Sequence, residues 1–154
     1  MNTLAEAKQF INDGREEDVN CPCCGTLAKV YARKFNHGMV ASLIYLYGTW
    51  KRGDRYVFLR NEIPRKVLKA NQYQLPAYWG LMKKRTVDGK PQEGQWRITG
   101  KGIRFLHRKL KVPQYALLYK GDCLGFRGNL IGPKDAVGVH FDFRELMNTV
   151  ISNL

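Results

Sequence analysis

Three stretches of the chain carry apolar residues three and four positions apart, the spacing that predicts helices with one buried face. The first covers about residues 3–11, where Asn12, Asp13 and Gly14 then favour a helix end. The second, residues 39–47, is so rich in apolar side chains that it predicts a fully buried helix. The third, residues 142–153, predicts a C-terminal helix. The acidic residues 16–18 predict a solvated connector.

Other stretches alternate apolar and polar residues, the pattern of half-buried strands. Residues 27–33 and 55–60 each predict one strand, and the second should join a small antiparallel sheet. Residues 115–120 and 123–127 flank Gly121 and Asp122 and predict a β-hairpin. Residues 131–137 predict a turn into a short helical step.

Residues 63–111 organise the middle of the chain. A short amphipathic helix is predicted over 63–71, and a second over 75–85, with Pro76 suited to its first turn. A polar loop over 88–94 then separates two strand-like pieces, the second being 95–99. A third, basic helix begins near Gly102 and carries Ile103, Leu106 and Leu110. Helix, turn, helix and hairpin is the order of a winged helix-turn-helix.

Thr99, Gly100, Lys101 and Gly102, followed by Phe105, resemble the T-x-x-G step that leaves the wing in winged-helix regulators of the MarR and PadR type. The whole sequence is also similar in style to small uncharacterised proteins of tailed bacteriophages. Together with the elements predicted above, this resemblance predicts an α+β fold: a winged helix-turn-helix core with an N-terminal cysteine knuckle and a C-terminal β-hairpin plus helix. The predicted domains are 1–34, 35–111 and 112–154.

The charge points to a polyanionic partner. The chain has a net charge of +13, with 26 basic and 13 acidic residues among 154. Residues 1–20 hold two basic and five acidic residues, so the remainder carries +16. Such a surplus is typical of nucleic-acid-binding domains, and double-stranded DNA is the predicted partner. A basic protein with no polyanion, or with an acidic protein partner, is the alternative.

The predicted winged domain supplies many candidate contacts. Gln side chains can pair with adenine, whereas lysines mostly contact phosphates. We therefore expect tight binding to the phosphate backbone, modest sequence specificity and strong salt dependence. Arg104, Arg108 and Lys111 should share one face of the third helix. The candidate nucleic-acid-binding residues are Arg65, Lys66, Lys69, Gln72, Gln74, Tyr78, Lys83, Lys84, Arg85, Lys90, Arg97, Lys101, Arg104 and Arg108.

Cys21 and Cys24, followed by Gly25, match the C-P-x-C-G knuckle of zinc ribbons, in which two thiolates point at one metal ion. The sequence departs from the ribbon pattern because no second C-x-x-C pair exists. Further ligands would come from Cys23, Cys123, a histidine or a second chain. Zinc is therefore the one cofactor that the sequence predicts. An empty knuckle-shaped turn and a redox pair are the alternatives.

The sequence lacks nucleotide-binding, metallohydrolase, deaminase and serine-hydrolase motifs, so no enzymatic activity is predicted. It has no long apolar run and no signal-peptide pattern, which predicts a cytoplasmic protein without membrane contact. Two functions stay open. One is a phage-encoded DNA-binding regulator; the other is a phage-encoded protein that binds and inhibits a host complex. A homodimer paired through the C-terminal helix and a monomer are both compatible with the sequence.

Overall fold

The computed structural model describes residues 3–14, 19–25, 27–53, 55–69 and 72–152. The helices are α1 (Leu4–Gly14), α2 (His37–Lys51), α3 (Leu59–Glu62), α4 (Arg65–Leu68), α5 (Gly100–Leu106), α6 (Pro133–Val137) and α7 (Phe143–Ser152). The strands are β1 (Val19–Asn20), β2 (Leu27–Ala28), β3 (Tyr31–Lys34), β4 (Val57–Phe58), β5 (Met82–Val87), β6 (Lys90–Ile98), β7 (Val112–Tyr119) and β8 (Asp122–Ile131). Helices and strands are mixed, so the fold class is α+β, as predicted.

The chain forms two compact units. The small unit contains residues 1–33 and 115–127, and the large unit contains residues 34–114 and 128–154. The strands form a pair, β1-β2, and two three-stranded sheets with the orders β3-β7-β8 and β4-β6-β5. The predicted division at residues 34 and 111 stays a prediction.

In the small unit, α1 buries one face, as its apolar spacing predicts. Ala7 and Ile11 are buried on that face, and Ile11 packs in a cluster with Tyr119. Val19 and Cys21 lie against the same cluster. α1 runs on to Gly14 rather than ending at residue 11. The predicted acidic connector at 16–18 lies outside the described residues.

The large unit is built around α2, which confirms the predicted buried helix. Asn36 caps its N-terminus, because the Asn36 side chain accepts a hydrogen bond from the backbone N–H of Met39 at 3.1 Å. The buried side chains include Met39 and Leu43 and lie all around the helix, which is the signature of a core helix rather than a surface one. Phe35 precedes α2 and meets Trp79 and Phe105 edge-on, with ring centroids 5.0 and 5.3 Å away.

Strands β5 and β6 form a hairpin, as the predicted wing requires. Its turn is shorter than the predicted loop over 88–94, because Val87 pairs directly with Lys90. The two turn residues, Asp88 and Gly89, have φ of 51° and 78°. Two positive φ values are the requirement of the type I′ turn, which Asp-Gly satisfies at low steric cost. Residues 90–94 therefore belong to β6.

The strand predicted over 55–60 joins this hairpin, although only Val57 and Phe58 are extended. Val57 pairs with Trp96, and Phe58 pairs with Gln95, both antiparallel. The chain then turns at once into α3, so Leu59 and Arg60 are helical and not extended. The prediction that this strand joins a small antiparallel sheet is thus confirmed, whereas its length was wrong.

The predicted helix over 75–85 is wrong. Leu75–Trp79 forms one 3₁₀ turn, which ends where Gly80 adopts a left-handed φ of 75°. Met82–Val87 is then a strand, because these residues pair with β6. Lys83, Lys84 and Arg85 consequently lie on a strand and do not end a helix. Trp79, Leu81 and Met82 are buried and belong to the core.

The neighbouring helices are also shorter than predicted. Of the helix over 63–71, the structure shows α4, a single turn, and residues 70–71 lie outside the described residues. α5 ends at Leu106, and Arg108 follows with a left-handed φ of 63°. Arg104, Arg108 and Lys111 therefore do not share a helix face, and that prediction is wrong.

A tight approach fixes α5 against β5 and β6. The Thr99 side chain caps α5 by accepting from the Gly102 N–H at 3.1 Å, and it donates to the Gly80 carbonyl at 2.7 Å. A Cβ on Gly102 would lie 2.2 Å from the carbonyl oxygen of Leu81. Glycine at this position therefore serves close backbone packing, and the Thr-x-x-Gly step is the joint between hairpin and helix.

The C-terminal predictions agree with the structure. β7 and β8 form the predicted hairpin with longer strands, α6 is the predicted helical step, and α7 is the predicted terminal helix.

The strand predicted over 27–33 is divided into two short strands, β2 and β3. The apolar pattern also predicts one core that contains Leu43, Ile44, Val57, Leu68, Leu81, Trp96, Ile98 and Leu106. Val57 and Leu68 are half-buried in the structure, and the other six are buried.

Candidate nucleic-acid interface

The register of the β4-β6-β5 sheet assigns its side chains to two faces. Residues directly opposite each other on antiparallel strands point to the same side, and successive residues point to opposite sides. Met82 pairs with Ile98, and both are buried. Lys83 pairs with Arg97, so these two point away from the core. On β4, Phe58 pairs with Gln95 and points to the same side as Arg97.

This outward side is called the outer face. Its residues are Tyr56, Phe58, Lys83, Arg85, Gln95 and Arg97. They come from β5, β6 and the segment that leads into α3, so three separate pieces of chain meet there. Three of the six are permanent cations and two are aromatic, and none of the six is acidic.

Tyr56 connects the two arginines of the outer face. The guanidinium carbons of Arg85 and Arg97 lie 5.9 and 5.8 Å from the centroid of the Tyr56 ring. Arg85 also donates a hydrogen bond from Nη1 to Oε1 of Gln95 at 3.0 Å. The electron-rich ring attracts both cations, so it holds them near each other although they repel. The guanidinium groups are thereby positioned by Tyr56 and Gln95.

Lys84 belongs to the opposite, inner face. It pairs with the buried Trp96, and its Nζ lies 5.3 Å from the centroid of that ring. The same Nζ lies 3.0 Å from Oε1 of Glu93 in an ion pair. Lys84 thus has protein partners for its charge, whereas the sequence grouped it with Lys83 and Arg85.

The remaining predicted contacts are spread over other elements. Lys90 begins β6 next to the hairpin turn and is exposed. Gln72 accepts a hydrogen bond from the side chain of Asn36 and is half-buried, as is Tyr78. Outside the outer face, the exposed predicted residues are Arg65 and Lys66 on α4, Lys69 at its end, Gln74 before the 3₁₀ turn, Lys101 and Arg104 on α5, and Arg108 after it.

Three outer-face residues were missed by the sequence-based prediction: Tyr56, Phe58 and Gln95. The signal that could have found them is the alternation of β4 and β6. Phe58 lies beside Val57, and Gln95 and Arg97 flank the buried Trp96. Once residues 95–98 are treated as a strand, alternate positions must face the same side, so Gln95 joins Arg97.

A separate cavity of the large unit contains a histidine pair. His37 at the start of α2 stacks on His140, with centroids 3.6 Å apart and planes inclined by 12°. The cavity measures about 490 Å³ and is also lined by Tyr45 and Lys66. Burial, and secondly the neighbouring His140, lower the pKa of His37. Because a metal ion binds in the plane of an imidazole ring, two parallel stacked rings do not share one.

The cysteine knuckle is a hydrogen-bonded turn. The Gly25 N–H donates to the Cys21 carbonyl at 2.9 Å, and Gly25 has a φ of 76°. Cys21 is half-buried, whereas Cys23 and Cys24 are exposed. Within the described ranges, no group of three or more histidine, cysteine or acidic side chains is arranged to hold a metal ion. A tetrahedral zinc site needs four ligands, so Cys21 and Cys24 of one chain do not complete one there.

Comparison with known proteins finds no matching family model, no similar curated protein and no similar solved structure. Among the described residues, no helix is long and apolar enough to cross a bilayer. The function is therefore inferred from the side chains of this chain.

Proposed function

We propose that the protein binds nucleic acid through the outer face of the β4-β6-β5 sheet. The observation that carries this proposal is the cross-strand pair of Lys83 and Arg97. Like charges directly opposite each other on a sheet lower its stability. A third cation, Arg85, lies close by through Tyr56. A bound polyanion would offset the repulsion among these cations, whereas the repulsion does not stabilise the folded chain.

The phosphate backbone is the polyanion that best fits the arrangement. Nucleic acid presents regularly spaced negative charges, and arginine and lysine contacts to them release condensed counterions. The arginines are held by Tyr56 and by Gln95, so less side-chain freedom is lost when they bind. The net charge of +13 supports long-range attraction of such a partner.

The order of elements supports a winged-helix arrangement in which the hairpin is the main contact. α2, β4, the short helices α3 and α4, the 3₁₀ turn and the β5–β6 hairpin follow each other as in that fold, and β4 pairs with β6. A long recognition helix is replaced by one 3₁₀ turn. The proposal therefore assigns binding to the sheet and its hairpin and not to a helix in the major groove.

Salt-dependent binding tests the proposal. Affinity for a labelled random-sequence 20-mer, single- and double-stranded, is measured by anisotropy between low and moderate salt. Lys83→Ala with Arg97→Ala should reduce the magnitude of the log-affinity against log-salt slope by about 1.5, since two phosphate contacts are lost. The matched control is Lys134→Ala with Arg144→Ala, two exposed cations elsewhere in the large unit. An equal change in both pairs, or no binding at low salt, would overturn the proposal.

An acidic surface of a host protein is the second candidate partner. The exposed Phe58 favours it, because aromatic residues beside arginines also form the centres of protein interfaces. Capture of one host protein from nuclease-treated lysate, lost with Lys83→Ala and Arg97→Ala, would favour this alternative. The regulator and the host-inhibitor functions of a phage-encoded protein correspond to these two partners.

A further inference from the structure

We infer that the outer face takes single-stranded nucleic acid, with a base stacked on Phe58. This inference rests on the proposed function and names its substrate class, in place of the double-stranded DNA that the sequence predicts. It depends on the position and exposure of one aromatic ring, and not on the cations alone.

Phe58 is the more exposed of the two aromatic residues of the outer face. The residue is 54% exposed, whereas the core residues Trp79 and Trp96 are 2% and 6% exposed. Gln95 lies opposite it on β6, and Gly94 lies beside it with φ of 79°. A Cβ on Gly94 would be 3.6 Å from Cδ1 of Phe58, so glycine there leaves no side chain over that part of the ring. The ring therefore offers an apolar surface to a flat ligand.

Cations lie where the backbone of such a ligand would pass. Tyr56 and Phe58 are two residues apart, which in extended chain is roughly 6–7 Å. Arg85 and Arg97 surround Tyr56, and Lys83 lies opposite Arg97. A base on Phe58 would place its own phosphate near the arginines. Aromatic stacking combined with a basic track is the usual means of binding single strands without sequence preference.

A duplex does not fit the same contacts. Its bases are already stacked on each other, so their faces are closed to a ring presented by a sheet, whereas unpaired bases can be splayed onto aromatic side chains. The segment predicted as the second helix of the helix-turn-helix is a single 3₁₀ turn followed by β5. The outer face therefore offers stacking and phosphate contacts, which single-stranded DNA and single-stranded RNA share.

The experiment compares Phe58→Ala and Phe58→Trp with the wild-type protein. The probes are a labelled 12-mer of thymidine, a 12-mer of uridine and a 12-base-pair duplex at one low salt concentration. Phe58→Ala should weaken binding of the single strands by about 5- to 150-fold, the range for one stacked base, and change duplex binding less than about two-fold. Phe58→Trp should retain single-strand binding. Circular dichroism and thermal melting confirm that both variants fold.

A second readout separates stacking from charge. Phe58→Ala should leave the salt slope unchanged, because no phosphate contact is removed, whereas Lys83→Ala with Arg97→Ala should reduce it. Equal losses on single strands and duplex after Phe58→Ala, or tighter binding of the duplex by the wild type, would overturn this inference and leave the proposed function standing. Failure to bind any of the three probes would overturn both. Similar affinity for the two single strands supports stacking, and a preference for one identifies the source.

Discussion

The two faces of the β4-β6-β5 sheet differ in what their side chains do for the fold. The inner face buries Met82, Trp96 and Ile98, and it keeps Lys84 only by pairing it with Glu93. The outer face instead sets Lys83 directly opposite Arg97. Burial of apolar surface stabilises the sheet, whereas like-charge pairs destabilise it. The inner face thus supports folding, and the outer face keeps a like-charge pair that a polyanionic partner would stabilise under the proposed function.

The largest expected effect on stability comes from truncating one of two adjacent residues that lie on opposite faces of the sheet. Ile98→Ala should lower the free energy of unfolding by about 2–5 kcal/mol, because a fully buried side chain leaves a cavity. Arg97→Ala, the adjacent outward position, should change it by less than about 0.5 kcal/mol. Urea denaturation followed by circular dichroism measures both. A large loss for Arg97→Ala would mean that the outer face also supports the fold.

A smaller effect should have the opposite sign. Lys83→Glu places an acid opposite Arg97 and should raise the free energy of unfolding by roughly 0.2–1 kcal/mol. The same change should weaken nucleic-acid binding more than Lys83→Ala does, since it adds repulsion from phosphate. Denaturation and anisotropy on one preparation give both numbers. Lower stability in Lys83→Glu would contradict the claim that the cation pair is costly to the fold.

His37 of the histidine stack differs from the cations of the outer face, because its charge changes with pH. Lysine and arginine stay protonated across pH 5–8, whereas the pKa of His37 is lowered from 6.5 by burial and by His140. The unfolded chain then binds a proton more readily than the folded one. The free energy of unfolding therefore has its full value, as far as His37 is concerned, above pH 6.5. It falls as the pH decreases through 6.5 towards the lowered pKa.

Unfolding measured between pH 7.5 and 5 tests this dependence. His37→Gln should flatten the curve, because the group that titrates is gone. His140→Gln should flatten it in part, since burial of His37 remains as a cause. A curve that both variants leave unchanged would assign the pH dependence to other groups.

The smallest effect on the sheet is expected from metal removal. If Cys21 and Cys24 of two chains together hold one zinc ion, protein purified without chelator should contain about half an equivalent of zinc per chain. Chelation should then separate the chains and leave the β4-β6-β5 sheet unchanged, because neither cysteine belongs to its strands. Less than about a tenth of an equivalent in elemental analysis would leave an empty turn.

The sequence predicts well the elements that are defined by their own apolar pattern. α2 and α7 are examples, because each shows dense or periodic apolar residues over several turns. Residues 75–85 were misassigned although Leu75, Trp79 and Met82 do fit a helical face. Left-handed Gly80 stops the helix, and the ladder with β6 then takes over from local propensity. Strand pairing depends on a distant segment of the chain, so the local pattern of residues 75–85 does not predict it.

The candidate site was predicted in part for the same reason. Lys83, Arg85 and Arg97 were chosen for their charge, and charge is visible in sequence. Phe58 was not chosen, because an aromatic residue in an apolar strand is ordinarily a core residue. Its exposure follows from the pairing of β4 with β6, which sends Phe58 and Gln95 to the same side.

The two-residue turn at Asp88 and Gly89 has an evolutionary consequence. Val87 pairs with Lys90, but the register shifts between Lys84 and Thr86, so an irregularity separates the turn from the pair of Lys83 and Arg97. A one-residue slip in the pairing of Lys83 with Arg97 would turn the outward cations to the buried side and the buried residues to water. Related chains should therefore keep this pairing, and a change in the length of the turn should be accompanied by a compensating change at the irregularity.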